Sequence, residues 1–240
     1  MTNRNYAFRE GEILLVDKPL HWTSFDVVNK IRWALSKKYG IKRFKVGHAG
    51  TLDPLATGLL VICTGKSTKL SESLTAKDKT YTGTFLLGKT TPSYDLETDF
   101  DATYDVEHIT EEAIYKTGES FIGTQLQVPP IFSAKKINGK RAYKIARKGE
   151  DIELNANEIV IKEFVIESIR FPEVDFRIKC SKGTYIRSIA NDFGKALQSG
   201  ATLQSLRRTN SGDFDVADAK SVEEWIEIIQ RQPIAQESLK

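Results

Sequence analysis

Alternation of apolar and polar residues predicts strands at two places in the chain. Residues 80–88 set tyrosine, glycine, phenylalanine and leucine against threonines, and residues 174–180 set Val, Phe, Ile and Cys against Asp, Arg and Lys. A period of two places one set of side chains on one face of a sheet. A shorter apolar segment, residues 13–16, predicts a third strand that ends before Asp17-Lys18-Pro19.

Three segments carry apolar residues at helical spacing. The first begins at Thr23, three residues before Asp26, which is the spacing of a capping box. The second covers residues 186–197, and the third covers residues 222–229 behind Ser221, again with an acid three residues later. Helices mixed with separate strands indicate an α+β, or mixed α/β, enzyme domain.

Composition fits this class. The 240 residues are 40% hydrophobic and 28% charged, which is typical of a compact domain with at most a modest appendage. The longest apolar run, residues 59–63, is too short for a membrane span, and the polar start does not resemble a signal peptide, so we expect a cytoplasmic protein. With only Cys63, Cys180 and three histidines, we expect free thiols and no structural metal.

Charge is distributed unevenly although its sum is only +3. Residues 95–112 hold eight acids and no Lys or Arg, and a basic cluster lies at residues 37–45. The main basic run contains seven cations and no acid: Lys135, Lys136, Lys140, Arg141, Lys144, Arg147 and Lys148. Polarised charge of this kind suits an extended polyanion, although each run alone could be a solvated surface.

A glycine-rich segment, residues 47–58, provides the first candidate site. Its three glycines predict a tight, exposed loop around Asp53, and Pro54 keeps that aspartate out of the helical region. The alternative is an Asx turn that leads into a buried element. A P-loop is excluded, because Gly65-Lys66-Ser67 would need a glycine where Leu60 stands.

A second candidate follows the strand at residues 174–180. The chain turns at Gly183 and presents Tyr185 and Arg187, which would share one face in extended geometry. A guanidinium beside a carboxylate lowers the pKa of that acid and keeps it ionised. The alternative is a core tyrosine and an arginine paired with a surface acid such as Asp192.

Together these segments resemble the TruB family of tRNA pseudouridine-55 synthases over about residues 11–208. The matching strings are Leu15-Val16-Asp17-Lys18-Pro19, the stretch Gly47 to Lys69 with its Gly-Thr-Leu-Asp-Pro-Leu-Ala-Thr-Gly, Lys79-Thr80-Tyr81, Val128-Pro129-Pro130, Phe132-Ser133-Ala134-Lys135, Lys182 to Arg187, and Leu206-Arg207-Arg208. The resemblance implies a cofactor-free isomerase that flips a tRNA T-loop uridine out of its stack and rejoins its uracil through C5.

The same resemblance implies site residues. Asp53 corresponds to the catalytic nucleophile, and attack on the sugar, attack on the base and assisted elimination stay open as routes. Tyr81 corresponds to the tyrosine that stacks on the flipped base, while Tyr185 and Arg187 line the pocket and pair with the aspartate. The remaining positions are His48, which fills the space left in the T-loop, Leu206, which packs against the base, and Lys18, which meets backbone or phosphate.

The implied fold is a central, largely antiparallel mixed sheet flanked by helices. Residues 1–212 would form the catalytic domain, with a basic thumb at about 124–157 that clamps the T-arm. Residues 213–240 would form a short helical extension in place of a full PUA domain. We expect a monomer that needs no membrane and no obligate protein partner. The rivals are a synthase acting on another RNA and a non-catalytic RNA-binding or tRNA-folding module.

Overall fold

The computed structural model describes residues 4–131, 136–137, 140–141 and 155–233. Contacts divide the chain into two compact units: a first unit of Met1–Lys77 with Arg207–Lys240, and a second unit of Asp78–Leu206. The residues after 212 therefore group with the N-terminal third of the chain, and the boundary expected at 212 stays a prediction.

The chain is a mixture of helices and strands, as the sequence pattern predicts. The strands are β1 (Ile13–Lys18), β2 (Val46–Ala49), β3 (Ala56–Thr64), β4 (Lys79–Leu87), β5 (Lys89–Thr90), β6 (Ala102–Thr103), β7 (Gly123–Gln127), β8 (Lys136–Ile137), β9 (Lys140–Arg141), β10 (Asn157–Arg170), β11 (Glu173–Cys180), β12 (Ala201–Ser211) and β13 (Phe214–Asp215). The helices are α1 (Ser24–Tyr39), α2 (Ser71–Thr75), α3 (Glu111–Ser120), α4 (Ile186–Ala196) and α5 (Val222–Arg231), with short 3₁₀ helices at Gly65–Leu70 and Val216–Asp218. None of the described helices is both long and apolar enough to cross a membrane.

In the first unit, β3 is the central strand. It pairs antiparallel with β1 and β2, and its residues from Leu59 to Cys63 are fully buried. Helix α1 begins at the predicted capping box, where the Oγ1 of Thr23 accepts from the Asp26 amide at 3.0 Å. Its apolar stripe is buried, and the helix packs against α5 and β2. Pairing with β1 and with each other holds β2 and β3, the strands on either side of the turn at Asp53.

In the second unit, β11 lies between β4 and β10, and β7 extends the sheet beyond β10; these pairs are antiparallel. The alternation predicted for residues 174–180 is confirmed, because Val174, Phe176, Ile178 and Cys180 are buried. Aromatic rings fill the core, and the centroids of Phe85 and Phe176 are only 4.1 Å apart.

Two local expectations are wrong. The glycine-rich segment is not all loop, because residues 46–49 form β2, and Asp53 is partly buried rather than exposed. Tyr185 and Arg187 do not share an extended face. Tyr185 is the N-cap of α4, and Arg187 already lies within that helix. The helix begins at Ile186, as the apolar spacing predicts, and includes only the last two residues of the segment Lys182 to Arg187.

Part of the basic run lies outside the described residues, namely Lys135, Lys144, Arg147 and Lys148. The backbone of Lys136, Lys140 and Arg141 forms the two-stranded β8–β9 pair. The predicted thumb and its RNA contacts stay a prediction.

Candidate active site

Asp53 lies in a turn that its neighbours hold in place. The turn between β2 and β3 closes when the Ala56 amide donates to the Asp53 carbonyl at 3.1 Å. Before it, the Leu52 amide donates to Ser24 Oγ at 2.8 Å, and that hydroxyl lies 3.1 Å from the Leu52 carbonyl. Ser24 is the first residue of α1, so the turn is fastened to the helix that the capping box begins.

Lys18 is fully buried beside this turn. Its Nζ donates to the carbonyls of Trp22 at 2.6 Å, Pro19 at 2.9 Å and Pro54 at 3.5 Å. Burial lowers the pKa of Lys18 to about 8, and the charge of Asp53 opposes part of that shift. The lysine therefore binds the protein backbone and places a positive charge near the Asp53 carboxylate.

Arg208 supports the same turn from β12. This arginine is almost fully buried, and its Nε donates to the Leu59 carbonyl at 2.7 Å. Its two terminal nitrogens donate to the carbonyls of Gly50 at 3.1 Å and Thr51 at 3.3 Å. Gly58 allows the approach, since a Cβ there would lie 2.3 Å from the Arg208 carbonyl oxygen. Sequence reasoning noted Arg208 only as part of a matching string and did not assign this support.

His48 is at the β2 side of the turn and is half-buried. Burial lowers the pKa of His48, and the positive charge of Arg208 lowers it further. A neutral imidazole is therefore favoured at neutral pH. Three of the residues predicted for the site, Lys18, His48 and Asp53, thus lie around one turn of the first unit.

The other predicted residues belong to the second unit. Tyr81 lies on β4 opposite Ile178 of β11, and only 9% of its surface is exposed. Tyr185 is held by its backbone, because its amide donates to Gln127 Oε1 at 2.8 Å and its carbonyl accepts from Gln127 Nε2 at 3.1 Å. Leu206 lies on β12 and is partly buried.

Arg187 is buried in α4 and has a carboxylate partner in its own unit. Its Nε lies 3.5 Å from Asp95 Oδ2, and both side chains are at most 6% exposed. Its Nη1 donates to the Ser93 carbonyl at 3.2 Å. The Asp95 loop is itself fixed, because the hydroxyls of Thr91 and Ser93 both donate to the Asp95 carbonyl. Asp95 was not predicted, and the acid proposed as an alternative partner, Asp192, is not the one found. The predicted pairing of Arg187 with Asp53 joins the two units and stays a prediction.

Within the described part of the chain, no group of three His, Cys, Asp or Glu residues could hold a metal ion. Cys63 and Cys180 are both free, and both are buried. The turn thus brings together the Asp53 carboxylate, the His48 imidazole, the buried cations Lys18 and Arg208, and several backbone carbonyls. This set suits acid, base or nucleophilic chemistry.

Comparison with known proteins gives two family matches in tandem. The model described as TruB family pseudouridylate synthase (N terminal domain) matches residues 36–186. The model described as tRNA pseudouridylate synthase B C-terminal domain matches residues 187–239. The two matches meet directly before Arg187, so together they cover Asp53, Tyr81 and Arg208.

Similar full-length proteins carry the name tRNA pseudouridine synthase B. The chain is 54% identical to the one from Phocaeicola vulgatus, over 95% of this chain and 97% of that protein. It is 55% identical to the one from Flavobacterium johnsoniae, over 96% of this chain and 100% of that protein.

Solved structures with a similar fold are larger. A chain in the crystal structure of a Cbf5–Nop10–Gar1 complex matches 92% of this chain with a TM-score of 0.69 and 25% identity. The archaeal box H/ACA sRNP Nop10–Cbf5 complex matches the same share at a TM-score of 0.67 and 24% identity, and that likeness shows the fold alone. This chain spans about half of each, 54%.

Proposed function

This chain belongs to the TruB family of pseudouridylate synthases, and from that membership we propose that it converts uridine 55 in the T-loop of tRNA to pseudouridine, with Asp53 as the catalytic nucleophile. The family and the enzyme class expected from the sequence are confirmed, and so is the mixed α/β fold. The relatives named for tRNA match over nearly their whole length, which supports tRNA as the substrate.

The reaction is an isomerisation that conserves every atom of the nucleotide. The bond between C1′ of the ribose and N1 of uracil breaks, and a bond between C1′ and C5 forms. The hydrogen at C5 leaves as a proton, and N1 gains one. Neither an oxidant nor an energy source is needed, so a placed carboxylate and a route for one proton suffice.

The observation that carries the proposal is the support around Asp53. Two buried cations, Lys18 and Arg208, bind the carbonyls on either side of this residue, at Gly50, Thr51 and Pro54. A carboxylate beside a fixed positive charge stays ionised, as a nucleophile requires. A turn held at several carbonyls also keeps the carboxylate in one place while the base rotates.

The remaining predicted residues serve the extruded uridine. A flipped base needs an aromatic face on which to stack, and Tyr81 supplies one in this proposal. Leu206 packs against the same ring and Tyr185 lines the pocket, while His48 occupies the gap that the base leaves in the T-loop. Arg187 is the fixed guanidinium of the pocket, and Asp95 holds it in position.

The test is Asp53→Asn, with Asp213→Asn as the matched control at an exposed aspartate of the same unit. An unmodified tRNA transcript and a transcript with cytidine at position 55 are incubated with each protein, and pseudouridine is mapped chemically. We expect modification at position 55 by the parent and the control, and none by Asp53→Asn. The amide is isosteric but a poor nucleophile, so the affinity for tRNA should stay near that of the parent.

Other outcomes separate the rivals. Pseudouridine formed by Asp53→Asn at the parental rate would refute the role of Asp53. Modification at another uridine, or only in another RNA, would favour the related synthase. Tight tRNA binding by the parent without any pseudouridine would favour a non-catalytic module.

A further inference from the structure

The start of helix α4 is tied to the end of strand β7 by side-chain hydrogen bonds within the second unit. The side-chain amide of Gln127 spans the backbone of Tyr185: Oε1 accepts from the Tyr185 amide at 2.8 Å, and Nε2 donates to the Tyr185 carbonyl at 3.1 Å. One residue further along the strand side, the Val128 carbonyl accepts from Ser188 Oγ at 2.8 Å. Three hydrogen bonds therefore fasten the first turn of the helix.

These bonds replace a local cap. Helices α1 and α5 each begin with a capping box, in which an acid at the third helical position accepts from the amide of the N-cap residue. In α4 the N-cap is Tyr185, whose side chain makes no capping bond among the described residues, and the third helical position is Ser188. Gln127 accepts from the N-cap amide instead, from a position 58 residues earlier in the chain. The helix start thus depends on another element.

The site of this contact is shielded from water. Gln127 is 5% exposed, and Ser188 is 1% exposed. A glutamine amide presents a donor and an acceptor side by side, as a peptide group does, and here one residue uses both. A methionine of similar length would fill the space and form neither bond. Because water cannot easily replace a buried partner, loss of the amide should loosen the backbone of Tyr185.

The turn that precedes Tyr185 is anchored in the same sheet. The Ser181 amide donates to the Val160 carbonyl at 2.9 Å, and Ser181 Oγ accepts from the Val160 amide at 2.8 Å. Thr184 Oγ1 donates back to the Ser181 carbonyl at 2.9 Å. Val160 lies on β10, which pairs with β7. Two neighbouring strands therefore hold the two ends of the segment 181–185.

We propose that Gln127 is a positioning residue that sets the place of Tyr185 and Arg187 in the uridine pocket. It acts through these two residues and does not itself meet the uridine. Gln127 fixes the start of the helix, and Asp95 holds the Arg187 guanidinium, with Nε 3.5 Å from Oδ2. Groups held in this way need no rearrangement when the substrate arrives. The inference rests on the proposed function, in which Tyr185 and Arg187 line that pocket.

The test compares Gln127→Met with Gln204→Met. Gln204 belongs to the same unit, and its side-chain amide donates to Glu173 Oε1 at 2.8 Å, so the control also removes a glutamine hydrogen bond. Pseudouridine formation in an unmodified tRNA transcript is followed in single turnovers at increasing enzyme concentration, until the rate constant reaches a plateau. A smaller folded fraction requires more enzyme but leaves the plateau unchanged, whereas misplaced pocket residues lower it.

We expect the plateau of Gln127→Met to fall by roughly 10- to 100-fold, because a displacement of about 1 Å near the reacting groups can cost that much. The affinity for tRNA, measured in an Asp53→Asn background, should stay near that of the parent. Ser188→Ala removes one of the three hydrogen bonds, so its plateau should fall less. Gln204→Met should keep the parental plateau.

Hydrogen exchange provides a readout that does not depend on activity. The Tyr185 amide loses its acceptor in Gln127→Met, so its exchange should become roughly tenfold faster. Exchange at the Ile178 amide, on β11 in the middle of the sheet, should match that of the parent.

A parental plateau for Gln127→Met would overturn the proposal. So would an equal loss in Gln204→Met, since any lost hydrogen bond in the unit would then have the same effect. If fast exchange at Ile178 shows that Gln127→Met does not fold, a parental plateau for Ser188→Ala would overturn it. A parent that forms no pseudouridine would refute the proposed function, whereas an active parent with an equally active Gln127→Met would refute the positioning role alone.

Discussion

Replacing Arg208 with methionine should destabilise the first unit far more than the same change at its neighbour Arg207. Arg208 is 1% exposed and donates to three carbonyls, while Arg207 pairs with Asp17 through two contacts of 2.7 and 3.0 Å near the surface. The side chains of that second pair are 40% and 37% exposed. The two substitutions remove the same charge one residue apart, so they form a matched pair.

The expected magnitudes follow from burial. A buried polar group left without its partner costs about 1–3 kcal/mol, and removing one member of a buried charged network typically costs about 3–5 kcal/mol. Three carbonyls lose their donor in Arg208→Met, so we expect about 3–5 kcal/mol. A half-exposed ion pair contributes about 0–1 kcal/mol, so Arg207→Met should fall within that range.

The assay is urea unfolding followed by tryptophan fluorescence, because all three tryptophans, Trp22, Trp33 and Trp225, belong to the first unit. With a slope of about 3 kcal/mol per M, the midpoint of Arg208→Met should fall by about 1 M or more. In native buffer its kcat should also fall, since the carbonyls next to Asp53 lose their support, and Arg208→Lys should restore part of it. Equal midpoints for Arg207→Met and Arg208→Met would refute this reasoning.

Three further predictions concern charge and stacking. The pKa of Lys18 in the folded protein is about 8, below its usual value of 10.5, so between these pH values the native state binds fewer protons than the unfolded state and the contribution of Lys18 to stability rises with pH. Activity should fall as the pH rises through 8, because the ammonium beside Asp53 is lost. A kcat that stays level to pH 10 would contradict the requirement for the charge of Lys18. Arg187→Lys should reduce the single-turnover rate strongly, because one ammonium cannot replace the planar guanidinium that meets Asp95 and a backbone carbonyl together; near-parental rates would exclude a positioning role. Tyr81→Phe should keep stacking and Tyr81→Leu should lose it, so equal single-turnover rates in the two variants would remove its role as a stacking face.

Local sequence signals predicted the elements well because their causes are local. The capping boxes at Thr23 and Ser221 begin α1 and α5, and both are formed in the structure. Alternation predicted β11 because each apolar residue in it is buried on one face. Such patterns act over a few residues, so one sequence is enough to detect them.

The partners of the buried charges could not be predicted in this way. Arg208 meets the Gly50 carbonyl across 158 positions of sequence, and Arg187 meets the Ser93 carbonyl across 94. Nothing in the composition near Asp95 distinguishes it from the seven other acids of its segment. Its selection depends on the loop that places its carboxylate beside α4, and only the fold specifies that position.

The interior of the first unit contains two buried cations, Lys18 and Arg208. Burying Lys18 and Arg208 against carbonyls carries a desolvation penalty that an apolar side chain of similar size would avoid. The lowered pKa of Lys18 is a direct sign of that penalty. Both cations act on the same turn, and that turn holds Asp53. Fixed charges and dipoles that need no reorganisation during the reaction are an effective way to stabilise developing charge. The cost in stability therefore falls on the turn that carries Asp53, the proposed nucleophile.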